Sequence, residues 1–219
     1  GMSLESTDTF TEIDLPRFKK IKYFGSFWGM SKLKKFDLGN NPTLECVFLK
    51  NVDVEDDTIF ENLNEINVSK CKNLRVIDIE QAGEKFTELD LSSNDKLNSL
   101  GLEGLRGLKQ LKMPETDNLK EIVVKETALE SLALEKYTKL DKVCVGGNQF
   151  DILKINMEQK TEKDIENMYL LFDNNLKVEF ISSKSGIVPN IKRLDNHNLW
   201  AGIVFSNYVV TDYEIPECW

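Results

Sequence analysis

The sequence is poor in the residues on which catalysis, targeting and membrane insertion depend. Its single histidine, His197, excludes most histidine-based metal sites and acid–base pairs. With 12 glycines and 5 prolines in 219 residues, it is neither collagen-like nor of low complexity. No run approaches the roughly 18 apolar residues of a transmembrane helix, so we expect no membrane span. The chain does not open with a basic segment followed by an apolar one, so we expect any export signal to lie outside this sequence.

Positive charge is also in deficit. The chain has 28 basic and 37 acidic residues, which gives a formal net charge of −9. Binding to nucleic-acid phosphates needs a positive surface, so we expect no nucleic-acid partner. Apolar residues, in contrast, are plentiful. They make up 41% of the chain, which is enough for a continuous core and too much for a disordered chain.

A repeated pattern organises the apolar residues: one apolar residue, two others, one apolar, one other, one apolar. A first series of copies, the A segments, begins at residues 10, 33, 63, 86, 108, 129 and 150. A second series, the B segments, begins 11 residues after each A segment except the last. Alternation with a period of two predicts a short, half-buried strand in each of these thirteen copies. Repetition every 21 to 30 residues predicts a solenoid.

Two copies carry a further resemblance. Leu33–Leu44 and Phe86–Leu97 place Asn41 or Asn94 after the apolar triplet and a leucine three residues further on. This resembles the leucine-rich repeat family, and in particular the two-strand repeats common in Bacteroidetes surface proteins. The resemblance implies a mainly β, right-handed solenoid with two parallel β-faces. It also implies a non-enzymatic scaffold for a protein or peptide partner, secreted or at a bacterial cell surface, with a cytoplasmic location as the alternative. Because both halves of each repeat are strands, we expect weak curvature.

The turn after each A segment should join neighbouring coils. Asn41, Asn94 and the equivalent Cys71 suit a tight turn, and an asparagine there can satisfy buried backbone groups of the adjacent coil. Later copies have other residues at this place, Thr116 and Tyr137 among them, so we expect this ladder of side chains to decay toward the C-terminus.

The exceptions to the period define three parts: an N-terminal cap with the first repeat (1–32), the solenoid (33–155) and a C-terminal α/β cap of a helix plus strands (156–219). The spacing Thr161–Phe172 predicts an amphipathic helix. We expect aromatic residues at both ends, Trp28 and Trp200 among them, to cover the exposed coils. The alternative use of the C-terminal aromatics is a platform for a glycan.

The longest step holds an insertion at 51–61. Its carboxylates, between Asp53 and Asp57, have the chemistry of a calcium loop, but Thr58 stands where an EF-type loop needs glycine. We therefore interpret the insertion as a solvated loop and predict no metal site and no other cofactor.

The outward-pointing residues of the A strands form the first candidate site, which we call the A face. Side chains alternate along a strand, so the third and fifth residues of each copy point away from the core. The first four copies place there Glu12, Asp14, Lys35, Asp37, Glu65, Asn67, Glu88 and Asp90. Like charges on adjacent strands ~4.8 Å apart repel, and a basic ligand would relieve that repulsion. The alternative is that these acids only keep the surface soluble.

The outward side of the B strands, which we call the B face, is the second candidate. It is less charged and carries an apolar set that is typical of an interface. The set is Tyr23, Cys46, Phe48, Val76 and Val123. A partner, or a second copy of the chain, is one expected occupant, and the chain's own terminal segments are the other.

Disulfides and catalysis are both disfavoured. Cys46 and Cys144 fall on the same face but four coils apart, about 19 Å, whereas a disulfide needs Cα atoms within about 7 Å. We expect free thiols, and Cys218 is the remaining candidate for a bond. No nucleophile, phosphate-binding or metal motif occurs, and carboxylates on an open face lack the burial that raises a pKa. We therefore predict a scaffold and not an enzyme, with a self-associating spacer and a glycan-binding surface protein as the alternatives.

Overall fold

The computed structural model describes residues 2–4, 10–14, 20–26, 30–39, 41–50, 60–182 and 189–194. These residues form a parallel β-solenoid of about seven turns with one short helix, as the repeat pattern predicts. The elements in chain order are β1 Met2–Leu4, β2 Glu12–Asp14, β3 Tyr23–Ser26, β4 Lys35–Asp37, β5 Cys46–Leu49, β6 Glu65–Asn67, β7 Val76–Glu80, β8 Glu88–Asp90, β9 Ser99–Glu103, β10 Gln110–Lys112, β11 Glu121–Lys125, β12 Lys142–Gly146, β13 Ile152–Asn156, α1 Glu162–Asn167, β14 Tyr169–Asp173, β15 Lys177–Ile181 and β16 Ile191–Leu194.

The B strands build one wide sheet. Its nine strands lie in the order β1-β3-β5-β7-β9-β11-β12-β14-β16, and every described pairing in it is parallel. The A strands pair only in groups, as β2-β4-β6, β8-β10 and β13-β15. Apart from the exposed Phe10, the described residues of the apolar triplets point inward and form one continuous core that extends from Ile13 to Leu176.

Twelve of the thirteen predicted repeat strands are present, and the exception is the A segment that begins at Leu129. Its triplet is buried, because Leu129, Leu132 and Leu134 still reach the core. Its backbone, however, joins no ladder with β10 or β13. The apolar spacing determines which side chains are buried, whereas a strand also needs a partner backbone within hydrogen-bonding distance.

The predicted C-terminal helix is shorter than expected. Helix α1 begins with a capping box, in which the Thr161 side chain accepts a hydrogen bond from the Asp164 backbone N–H and Asp164 accepts one from the Thr161 N–H. It ends at Asn167, and the C-cap residue Met168 has extended dihedral angles. The next residues form β14, which pairs with β12, so the prediction of a helix as far as Phe172 was wrong. The free backbone N–H and C=O groups at the edge of β12 pair with a strand and cannot pair in this way with a helix. This pairing outweighs the helical spacing of the apolar residues.

Strand pairing also continues beyond the last copy of the sequence pattern. Strand β15 pairs with β13 on the A side, and β14 and β16 extend the B sheet. Strand β1, at the opposite end of this sheet, was not predicted because Met2–Leu4 is too short to show a period. The predicted caps at Trp28 and Trp200 lie outside the described residues.

The turn ladder is confirmed at Asn94, and it continues further than predicted. Asn94 is fully buried, and its side-chain amide donates to the carbonyls of Val68 and Cys71 in the preceding coil, at 3.0 and 3.1 Å. Two coils later the buried Tyr137 hydroxyl donates to the Pro114 carbonyl at 2.7 Å. The expected decay was therefore wrong, because a phenol reaches the same kind of acceptor as an amide.

We predict that Asn94→Ala lowers the free energy of unfolding by about 1–3 kcal/mol, because it removes two buried inter-coil hydrogen bonds to carbonyls that then keep only a backbone donor each. Urea denaturation followed by circular dichroism measures this change. Asn64→Ala, at an exposed turn position, is the matched control and should stay within about 0.5 kcal/mol of wild type. Equal effects of the two changes would contradict an inter-coil role for Asn94.

Candidate functional site

The structure brings the eight predicted A-face residues together on one side of the solenoid. Strands β2, β4 and β6 pair in register, which aligns Glu12 with Lys35 and Glu65, and Asp14 with Asp37 and Asn67. Strand β8 carries Glu88 and Asp90 and pairs with β10. Between β6 and β8 the ladder of hydrogen bonds is interrupted. The A face is thus two short ladders, one of three strands and one of two.

The third-column and fifth-column residues of the A face have different roles. Three of the fifth-column residues close the turn that follows their strand. Asp37 accepts a hydrogen bond from the Gly39 backbone N–H, and Asp90 accepts from both the backbone N–H and the hydroxyl of Ser92. Asn67 makes the same pair of bonds with Ser69. These three side chains therefore have a structural reason to be there. The sequence analysis did not identify this role, although the recurrence of Asp or Asn two residues before a small residue was a readable signal.

The third-column acids are more open. Glu12, Glu65 and Glu88 are exposed. Two lysines partly neutralise the face. Lys35 forms an ion pair with Glu65 at 2.9 Å, and Lys112 lies 2.6 Å from Glu88 and 3.5 Å from Asp90. The hydrogen bond to Glu65 is the main reason that the pKa of Lys35 is raised, and Asp37 and Glu12 add to it. From β2 to β10 the face still carries six carboxylates and two lysines in its outward columns.

The predicted B-face residues also meet, but most of them are not open. Cys46 and Val76 form a cluster outside the main core, with Tyr23, Phe48 and Val123 packed against it. Cys46 is 3% exposed and Val76 is 0% exposed. A partner on this face would reach only the half-buried Tyr23, Phe48 and Val123.

A second cluster lies further along the B face. It consists of Cys144 and Leu171, with Tyr169 and Val123 against it. The thiols of Cys46, Cys71 and Cys144 are free and buried, which confirms the expectation for these three. Burial raises the pKa of Cys46 and of Cys144 to about 12, so both stay protonated and unreactive at neutral pH. Cys218 lies outside the described residues.

Sequence reasoning missed a row of buried charges beside the apolar clusters. Lys50 lies 2.6 Å from an Asp78 carboxylate oxygen and 2.8 Å from Glu80, and the side chains of Lys50 and Asp78 are 8% and 5% exposed. In the next coils the buried Lys125 lies 3.3 Å from Glu103. The residue that directly follows each B triplet would have revealed this row, since Lys50, Glu80, Glu103 and Lys125 are equivalent positions.

Glycine makes the room for this network. A Cβ atom on Gly101 would lie 2.4 Å from the Asp78 carboxylate oxygen, so any side chain there would displace it. Burial and ion pairing shift the pKa values of these groups in opposite directions. Burial raises the pKa of Glu80 and of Glu103, while Lys50 and Lys125 lower it. The pKa of Lys50 is raised, since Asp78 and Glu80 together outweigh the lowering effect of burial.

We predict that Lys50→Met lowers the free energy of unfolding by about 3–5 kcal/mol at pH 7, because it leaves buried carboxylates without their cation. The change removes the group that opposes the raised pKa of Glu80. The folded-state pKa of Glu80 then rises further, and its protonated form is favoured by folding. The loss should therefore be smaller at pH 5 than at pH 7.

Urea denaturation at the two pH values measures this effect. Lys22→Met is the control, because its ion pair with Glu45 holds a lysine side chain that is 60% exposed, and its effect should be far smaller. A Lys50→Met loss that is equal at pH 5 and pH 7 would contradict the linkage to Glu80.

Several sequence predictions fall outside the described residues, so the structure does not address them. These are the carboxylates from Asp53 to Asp57, the aromatic residues Trp28 and Trp200, and His197. Among the residues that are described, no group of three metal-ligating side chains meets, and no helix is long and apolar enough to cross a membrane.

No protein-family model matches this sequence, and the search of curated proteins gives no significant match. The repeat architecture is therefore what the chain itself shows, and the likeness to leucine-rich repeats depends on its sequence pattern.

Proposed function

We propose that this protein is a non-enzymatic recognition scaffold, related to leucine-rich repeat proteins, whose A face binds a basic protein or peptide segment. The observation that carries the proposal is the set of exposed third-column carboxylates: Glu12 and Glu65 lie on strands that pair in register through β4, and Glu88 lies on β8 beyond the interruption. Rigid strands keep these groups in place, so little conformational entropy is lost when a partner binds.

The excess of carboxylates on the A face predicts a positively charged partner. Among the described groups of the A face, from β2 to β10, two lysines stand against six carboxylates. The bound lysines show that cations are accepted there, since Lys35 and Lys112 each lie within hydrogen-bonding distance of a glutamate. A lysine or arginine from a partner would meet the remaining carboxylates in the same way. The fifth-column residues Asp37, Asn67 and Asp90 hold turns, and the two aspartates also contribute negative charge.

The burial pattern supports a binding role over a catalytic one. A catalytic carboxylate needs a raised pKa and access to substrate. Among the described carboxyl groups, the pKa is clearly raised for Glu80 and Glu103, and each has a lysine partner, Lys50 or Lys125, in the buried row. The exposed carboxylates of the A face lie on an open surface. A location at a bacterial cell surface is part of the proposal and comes from the family resemblance.

We predict that the triple variant Glu12→Gln, Glu65→Gln, Glu88→Gln binds a ten-residue peptide of alternating lysine and alanine at least about tenfold more weakly than wild type. Fluorescence anisotropy of the labelled peptide at low ionic strength measures the affinity, and added salt should weaken the wild-type complex.

The control for this experiment changes the net charge equally at exposed positions outside the A face. Glu84, Glu115 and Glu158 meet that condition, and their triple replacement by glutamine should alter the affinity less than about twofold. If both triple variants lose affinity equally, the binding follows net charge and the A-face proposal fails.

A second candidate function is self-association through the B face, which is favoured by its two apolar clusters outside the core. We predict that, if this surface joins two copies, Phe48→Glu with Val123→Glu converts a dimer to a monomer. Light scattering measures the mass. A wild-type chain that is monomeric at high concentration would exclude this function.

A further inference from the structure

A polar groove lies along the edge of the solenoid where the turns after the A strands lead into the B strands. Its volume is about 470 Å³. Its lining holds three cations, Arg75, Lys96 and Lys120. Three amide side chains, Asn73, Asn98 and Asn118, alternate with them, and Glu45 closes one end. The A-face proposal uses none of these residues.

The sign of the groove is opposite to that of the chain. The protein has a net charge of −9, yet the lining has three cations and one carboxylate. That carboxylate, on Glu45, is already paired with Lys22 at 3.1 Å. A carboxylate on a neighbouring turn, Asp117, accepts a hydrogen bond from the Thr138 hydroxyl. The groove is therefore a local positive site on an acidic protein, and it favours an anionic ligand.

Part of the floor of the groove is held in place by contacts between coils. The Asn73 amide donates to the Pro42 carbonyl, and its oxygen accepts from the Lys96 ammonium at 2.5 Å. The Asn118 amide donates to the Asp95 carbonyl at 2.8 Å. Among the described residues the Lys120 ammonium has no ion-pair partner, and both Lys120 and Arg75 are exposed. Asn73 and Asn118 are thus preorganised, while the exposed side chains of Arg75 and Lys120 remain accessible to a ligand.

The spacing of the cations points to a polymer. Arg75, Lys96 and Lys120 precede or adjoin β7, β9 and β11, which are consecutive strands of the B sheet. The strand register aligns Arg75 with Asn98 and Lys120, so these two cations lie two coils apart, at ~9.6 Å, and Lys96 lies between them in the neighbouring column. An extended polypeptide presents side chains on one side only every ~6.8 Å, which does not match the ~9.6 Å between Arg75 and Lys120. A chain of pyranose rings advances by about one ring per coil, so acidic groups on alternate rings can meet Arg75 and Lys120.

The residue types in the lining indicate which class of anionic polymer the groove can bind. All seven described lining residues are polar, so there is no apolar pocket for the anchoring side chain of a peptide. The same residues include no aromatic ring on which the bases of a single-stranded nucleic acid could stack. Amide and charged side chains are suited to ring hydroxyls and to carboxylate or sulfate groups, and arginine binds such groups with two parallel hydrogen bonds. We propose that this groove binds an anionic polysaccharide.

Isothermal titration with polygalacturonate tests the proposal, with dextran sulfate as a second anionic polymer and uncharged dextran as the neutral one. We expect saturable binding of at least one anionic polymer and none of dextran. Tighter binding of polygalacturonate would assign the anion as carboxylate, and tighter binding of dextran sulfate would assign it as sulfate. Arg75→Gln with Lys120→Gln should raise the dissociation constant at least about tenfold.

The control pair Lys34→Gln with Lys109→Gln removes the same charge from exposed positions outside the groove, and it should change the dissociation constant less than about twofold. Thermal melting checks that both double variants are folded. If the Arg75→Gln, Lys120→Gln variant is not folded, Lys120→Gln alone replaces it, and its affinity should fall several-fold. Absence of binding to both anionic polymers, or equal losses in the two pairs, would overturn the proposal. Equally tight binding of polyglutamate or oligothymidylate would overturn the assignment to a polysaccharide.

Discussion

Parallel pairing of each strand with the equivalent strand one coil away is the constraint on which this structure depends. In the B sheet the pairing runs without a shift of register from β3 to β14, so that Val47, Ile77, Leu100, Ile122 and Val143 stack in one inward column. Stacking equivalent residues buries apolar side chains efficiently. It also forces every polar or charged residue to lie beside its own counterpart, and much of the remaining structure is a response to that consequence.

On the A face the response is alternation and local bonding. Lys35 separates Glu12 from Glu65, and Lys112 lies beside Asp90. The fifth-column acids bond to the next turn, and the hydroxyl of Ser92 is the main cause of the lowered pKa of Asp90. Repulsion between like charges is thus reduced but not removed, which leaves the acidic surface that we propose as a binding face.

On the B face the same constraint acts on buried groups, where it is more costly. Lys50, Glu80, Glu103 and Lys125 occupy equivalent positions in four successive coils, and the order of their signs places a cation beside each glutamate. Gly101 leaves the space in which the Asp78 carboxylate reaches Lys50. Where the apolar column of this face is buried, as at Val76, it no longer resembles an open interface.

The spacing of apolar residues by itself determined the solenoid, the inward columns and the two outward faces, because burial of one side of a strand is a property of local sequence. Tertiary structure alone decided the features that need a neighbouring coil. Leu132 is buried without forming a strand, Leu171 lies in a strand and not in a helix, and Tyr137 replaces an asparagine in the turn ladder. The polar groove likewise collects Arg75, Lys96 and Lys120 from three coils more than 20 residues apart in sequence. Each of these features depends on a partner that stands about one turn of the solenoid away, a distance over which the local pattern carries no information.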